Sequence, residues 1–191
     1  VAFQMPQADI PLEGDGAQAP VLVELFTSEG CHSCPPAEEL LKQFQEQKFV
    51  LGTEIIPVQY HVTYWDDLGW EDKFAEESFT SRQQQYRNAF GLNTLYTPQM
   101  VVDGAHQFVG SSKGKALASI DEAKRAPKPD LKAEVTVEQD GALTLHVSSP
   151  PSQTRDTNLE LVLIVTENNL KSDIKSGENR GISQQHQAVV R

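Results

Sequence analysis

Cysteine is scarce in this chain: two in 191 residues, at Cys31 and Cys34. That number excludes a framework of several disulfides, and without a second C-x-x-C it falls short of the roughly four ligands that a structural zinc site takes. Long apolar runs are also missing, since no stretch approaches the roughly 20 residues of a membrane-spanning helix. Positive charge is in the minority. Lys and Arg number 16 against 27 Asp and Glu, a formal net charge of −11. An acidic surface with no basic run repels phosphate backbones and anionic headgroups, which argues against nucleic acid and membrane insertion. The opening residues lack a charged segment followed by an apolar one, and the chain starts at Val1. The expectation is a processed or trimmed chain.

Both cysteines fall within Cys31-His32-Ser33-Cys34-Pro35-Pro36. Ahead of them runs the apolar stretch Val21 to Phe26; behind them Ala37, Leu40, Leu41 and Phe44 recur at helical spacing. A C-x-x-C at a strand-to-helix junction is the arrangement of a dithiol–disulfide redox centre. Unpaired N–H groups and the dipole at a helix N-terminus favour a thiolate. A purely structural bridge is a poor use of so short a loop, because the stabilisation from a disulfide grows with the loop it closes.

Residues 1–19 are polar and aperiodic and read as an arm; residues 20–126 alternate strand and helix patterns, an α/β layer fold. Strands are expected at Val21 to Phe26, Glu54 to His61 and Gln99 to Asp103, and helices at Pro36 to Gln47, Ser81 to Phe90 and Gly114 to Arg125. An aromatic, acidic insertion, partly helical, covers Trp65 to Phe79. Ala126-Pro127-Lys128-Pro129 marks a boundary. From 127 to 191 the period becomes two: Ala133 to Val137, a turn at Asp140-Gly141, Leu143 to Val147, then a third strand at Leu159 to Thr166. This reads as a small antiparallel β unit, shortened where the chain stops in the strand-like segment Gln187 to Arg191.

Several residues bear on the dithiol. Pro98 enters a β-rich strand; a cis bond would turn the Thr97 backbone outward as a free edge for an extended substrate, and a trans bond would make it an ordinary edge proline. Glu24 is the one charge in an apolar strand and shares a face with Leu22 and Phe26. Beneath the dithiol it could exchange protons with Cys34; elsewhere it is an exposed edge residue or a salt-bridged core acid. A charged His32 between the cysteines would stabilise the Cys31 thiolate. His61 closes the second strand, and with Cys31 and Cys34 it could supply a Cu(I) site, since soft thiolates select that ion. Trp65 and Asp66 could wall the site. His106, His146 and His186 are assigned to surface or core.

The segment from about Val21 to Ile120 resembles the thioredoxin-like superfamily, through Glu24, Cys31-His32-Ser33-Cys34-Pro35 and Thr97-Pro98 before a strand ending Asp103-Gly104. More narrowly, Glu24 to Ala37, Tyr60 to Asp66, Tyr96 to Gln99 and Gly177-Glu178-Asn179-Arg180-Gly181 are similar to blocks of an uncharacterised bacterial family with an exported thioredoxin-like domain. The resemblance implies Cys31 as attacking thiol, Cys34 as resolving thiol, a cis Pro98, and a periplasmic or otherwise exported location. The expected function is thiol–disulfide exchange with no cofactor beyond the redox-active disulfide. Thr97, Pro98, His32 and Trp65 would meet the substrate, Glu24 would assist catalysis, and the partners would be protein or small-molecule thiols and disulfides and a redox partner protein. The alternatives are copper handling and a non-catalytic interaction module. The His32-Ser33 pair matches neither thioredoxin nor the common oxidases, so the direction of electron flow stays open.

Overall fold

A computed structural model describes residues 19–128, 131–138, 140–148 and 160–191. The arm expected at 1–19 lies almost wholly outside them. The chain divides into two compact units, Val1–Arg125 with Thr166–Arg191, and Ala126–Val165.

The first unit is built on β1 (Val21–Thr27), α1 (Pro35–Gln47), β2 (Phe49–Val50), β3 (Thr53–His61), α2 (Glu77–Ala89), β4 (Gln99–Val102), β5 (His106–Val109) and α3 (Lys113–Ala123). A short 3-10 helix, Thr63–Leu68, precedes α2. In the central sheet β1 pairs in parallel with β3 and antiparallel with β4, and β5 pairs antiparallel with β4. The α/β fold class is therefore as the sequence implies.

Alternation along β1 gives the sheet two different faces. Val21, Val23 and Leu25 join Leu40, Leu41 and Phe44 of α1 and Ala116 and Ile120 of α3 in one buried cluster. On the other face Phe26 stacks on Tyr60 at a centroid distance of 5.2 Å, and Tyr86 of α2 meets Phe26 edge-on at 5.9 Å. Gly110 sits where β5 leaves the sheet toward α3. A Cβ there would come within 2.9 Å of Leu25, 3.1 Å of Ala37 and 3.3 Å of Pro98, so the absence of a side chain lets Pro98 approach the first turn of α1.

The boundary at 127 needs correction at its far end. Residues 166–191 belong to the first unit, where they form β8 (Thr166–Glu167), β9 (Leu170–Asp173), β10 (Ser183–His186) and β11 (Val189–Val190). β11 pairs in parallel with β3 and extends the central sheet, and β9 and β10 form a hairpin. Val189, wholly buried, lies opposite Gln59 of β3. A local period of two cannot reveal which strand, some 130 positions back, is the partner.

In the second unit β6 (Lys132–Val137) and β7 (Leu143–Ser148) form the expected antiparallel hairpin. The strand expected at Leu159 to Thr166 does not form over 160–165, where the apolar run finds no ladder partner among the described residues; only Thr166 and Glu167 are extended and paired. β-propensity reports fit to a neighbouring strand, and a run without a neighbour does not realise it. Among the described residues no helix is long and apolar enough to cross a membrane.

Candidate functional site

The loop from Ser28 to Cys34 joins β1 to α1 and holds the Cys31–Cys34 disulfide, with Cα atoms 5.4 Å apart. Its turns are local: Cys31 N–H donates to Ser28 O at 3.1 Å and Cys34 N–H to Cys31 O at 3.2 Å. Cys34 is the N-cap of α1, and Pro35 and Pro36 open the helix. Proline is favoured there because its fixed φ suits the first turn. It also removes two N–H groups, and those of Ala37 and Glu38 both bond Cys34 O, at 2.9 and 3.2 Å. The first four helical residues thus leave no free N–H for a Cys31 thiolate. The nearby donor is the Ser33 hydroxyl, 3.4 Å from Cys31 Sγ. Both cysteines are wholly buried, whereas His32 and Ser33 are exposed.

The other sequence candidates fall on two sides of β1. The Thr97–Pro98 bond is cis, and Pro98 stands near α1 across Gly110. Trp65, half-buried on the 3-10 helix, lies against Gly30: a Cβ on Gly30 would be 3.5 Å from Trp65 Cβ. Glu24 belongs to the opposite face. Its carboxylate accepts from Arg82 Nε at 2.7 Å and from the Tyr86 hydroxyl, both on α2, while α1 with Cys34 packs on the Val21–Val23–Leu25 face. Of the readings open for Glu24, the salt-bridged core acid is the one realised, and the proton-exchange role beneath Cys34 has no geometric basis. His61 likewise does not turn to the sulfurs. Its Nδ1 pairs with Asp72 Oδ2 at 2.7 Å and its Nε2 with the Gln59 amide at 3.0 Å. Among the described residues no three His, Cys, Asp or Glu side chains are arranged to hold a metal ion. The third ligand of the copper alternative is thereby already engaged.

Two features that sequence reasoning did not connect to the dithiol hold the segments on either side of it. Asn179, wholly buried, donates through Nδ2 to Glu29 O at 2.8 Å and to Cys31 O at 3.0 Å. Its neighbour Glu178 accepts from His32 N–H at 3.2 Å. Gly177 makes this approach with φ 72, seated against Trp70. A residue 148 positions away thus fixes the backbone of Cys31. The only hint in the sequence is the glycine-bounded block itself.

The second feature is a buried ionic cluster. His186 faces Glu29 Oε1 through Nε2 at 3.2 Å and Glu38 Oε2 through Nδ1 at 3.3 Å. Thr27 Oγ1 donates to Glu38 Oε1 at 2.6 Å and Trp70 Nε1 to Glu29 Oε2 at 2.7 Å. A ring with a carboxylate at each nitrogen is best satisfied as imidazolium, the form in which both nitrogens donate. Burial by itself would lower the His186 pKa, but hydrogen bonds to Glu29 and Glu38 and their charges outweigh it and push it up to about 9. Burial raises Glu38, yet His186 brings it below the ordinary carboxylate range; Asp72, also raised by burial, is brought down by His61.

This cluster predicts a pH window for stability. His186 binds its proton more tightly folded than unfolded, so its contribution is full below its ordinary value of 6.5 and is lost as pH rises through about 9. That interval corresponds to a loss of roughly 3 kcal/mol. Glu38 and Asp72 have the opposite sign, stabilising above their ordinary values and losing that contribution in acid. Urea denaturation across both limits should show a stability maximum between them; a midpoint flat from neutral pH to about pH 9 would contradict the ion pairs.

A search of curated proteins finds no match. Among solved structures, the chain is similar to a protein from Agrobacterium tumefaciens determined by X-ray crystallography, with 28% identity, a TM-score of 0.68, and coverage of 90% of this chain and 69% of that one. HBP35 of Porphyromonas gingivalis matches with a TM-score of 0.53 at 15% identity, covering 90% of this chain and 55% of that one, a likeness of fold alone. The family model described as "Protein of unknown function (DUF1223)" matches residues 22–191, and the chain belongs to that family.

Proposed function

We propose that the protein is a thiol–disulfide oxidoreductase of thioredoxin-like fold. One observation carries the reading: the only two cysteines of the chain are bridged across a strand-to-helix junction, with Cys34 capping the helix. A cis proline beside the first turn of the same helix adds to it. In the reducing direction the Cys31 thiolate attacks a substrate disulfide, forming a mixed disulfide and releasing one substrate thiolate. Cys34, having given up its proton, then attacks Cys31 Sγ, restores the internal bridge and releases the second thiolate. Two electrons pass from the dithiol to the substrate. Run backwards, the same steps oxidise a substrate dithiol.

In this reading Thr97 and Pro98, near the first turn of α1, take the substrate backbone, and Trp65 and the exposed His32 take part in binding it. Because both cysteines are buried, exchange requires their cover to move. We place the protein in an exported, oxidising setting, where disulfides persist, with protein or small-molecule thiols and a redox partner as its reactants.

The test is a titration of the Cys31–Cys34 couple in glutathione buffers, counting free thiols by alkylation and mass. A working redox centre is expected between about −270 and −120 mV. A value well below about −300 mV would mark a bridge that resists the glutathione pool and would remove the catalytic reading.

A further inference from the structure

We propose that His186 is a positioning residue for the dithiol: its cation, held between Glu29 and Glu38, sets the charge around the C-x-x-C and thereby how readily Cys31 ionises. The proposal rests on the thiol–disulfide reading above and names the groups that tune it.

The two carboxylates flank the cysteines in the chain. Glu29 lies two residues before Cys31, and its backbone carbonyl shares the Asn179 amide with that of Cys31. Glu38 lies four residues after Cys34, on the same side of α1. Helical side chains lean toward the N-terminus, so its carboxyl covers the turn that begins at Cys34. One imidazole therefore ties together the segments on either side of the disulfide, from β10, about 150 positions further along the chain. The ring is wholly buried, and charges so placed are weakly screened by solvent and salt.

The charged and polar groups facing His186 come from several elements. They are Glu29 from the loop after β1, Glu38 from α1, and His61 from β3 with its ring centroid 4.9 Å away. Behind His61 stands Asp72, from the loop before α2, and Gln59 Nε2 approaches His186 Nδ1 at 3.4 Å. Glu29, Glu38 and His186 carry one negative charge in sum. Removing the cation makes their sum more negative and disfavours a thiolate at Cys31. Neutralising one carboxylate does the reverse. Because stabilising the reduced form makes a couple more oxidising, the two changes must move the redox equilibrium in opposite directions.

Reduction by two glutathione thiols breaks the Cys31–Cys34 bond and forms glutathione disulfide. Two electrons reach the protein sulfurs; of the two protons released, one goes to Cys34 and one to solvent when Cys31 remains ionised. The cluster governs that last proton.

The experiment uses the full chain and its His186→Gln and Glu38→Gln variants, with two readouts. One is the pH dependence of Cys31 alkylation after complete reduction by a phosphine; the other is the equilibrium with glutathione. His186→Gln should raise the Cys31 pKa and shift the glutathione equilibrium toward the disulfide by about threefold or more, and Glu38→Gln should do the opposite. Shifts of one sign in both variants, or none, overturn the proposal, since a merely structural role would not give opposite signs. If His186→Gln does not fold, Glu29→Gln takes its place and must move the readouts as Glu38→Gln does; failure to do so is equally decisive. Wild-type protein that does not equilibrate with glutathione would sink the enzymatic reading alone, because the phosphine-reduced alkylation profile still reads the cluster.

Discussion

Cys31→Ser should abolish disulfide exchange, and Cys34→Ser should leave a protein that reacts once and then stays joined to its substrate. The asymmetry follows from position. Cys31 stands in the loop with the Ser33 hydroxyl at its sulfur, whereas Cys34 is fixed as the helix cap with its carbonyl engaged by the Ala37 and Glu38 N–H groups. In the proposed mechanism the loop sulfur forms the first mixed disulfide and the cap sulfur resolves it. With the resolving thiol gone, release depends on an external thiol, so mixed disulfides should accumulate and be visible on a non-reducing gel as bands that dithiothreitol removes. The turnover loss for Cys31→Ser should exceed about a hundredfold, because a hydroxyl does not substitute for a thiolate nucleophile. Full activity in both variants, measured by a disulfide-exchange assay, would dismiss the mechanism. These substitutions should leave the rest of the fold standing, since a bridge over two intervening residues constrains the unfolded chain little.

The second large effect lies on the other face of the sheet and concerns stability. Arg82→Ala is expected to cost about 3 kcal/mol or more, because it leaves the Glu24 carboxylate buried without its cation. Glu24 is wholly buried while the Arg82 side chain is 28% exposed, so removing the arginine strands the more deeply placed charge. Tyr86 would remain as a single donor. Replacing both, as Glu24→Met with Arg82→Met, should recover much of the loss, since a buried ion pair exchanged for apolar side chains of similar volume is often neutral. Urea denaturation of the two single variants and the pair measures the coupling directly. A cost for Arg82→Ala below about 0.5 kcal/mol would mean that Glu24 is not structurally committed to the pair.

These two predictions sit at opposite ends of what could be read in advance. The chemistry-bearing residues were legible because their signals are local. The C-x-x-C declares itself by spacing, and the helix behind it by apolar residues at i, i+3, i+4 and i+7. The carboxylate of Glu24 is conspicuous in an apolar strand, but sequence alone cannot say which face of a sheet a helix will cover. Alternation assigned Glu24 correctly to the Leu22–Phe26 face; only the packing of α2 on that face turned it from a candidate proton carrier into the partner of Arg82.

Local sequence patterns carry the α/β order of β1, α1, β3, β4 and α3, the hairpin of β6 and β7, and the cysteines at the head of a helix, each of which follows from a period or spacing within about fifteen residues. What holds the segments flanking the dithiol depends on tertiary contacts. Asn179 and His186 come from the returning segment that adds β11 beside β3. Their roles depend on burial and on partners about 150 positions away, and no local pattern encodes either. A histidine becomes a bridging cation only when the fold removes water from it and sets a carboxylate at each nitrogen.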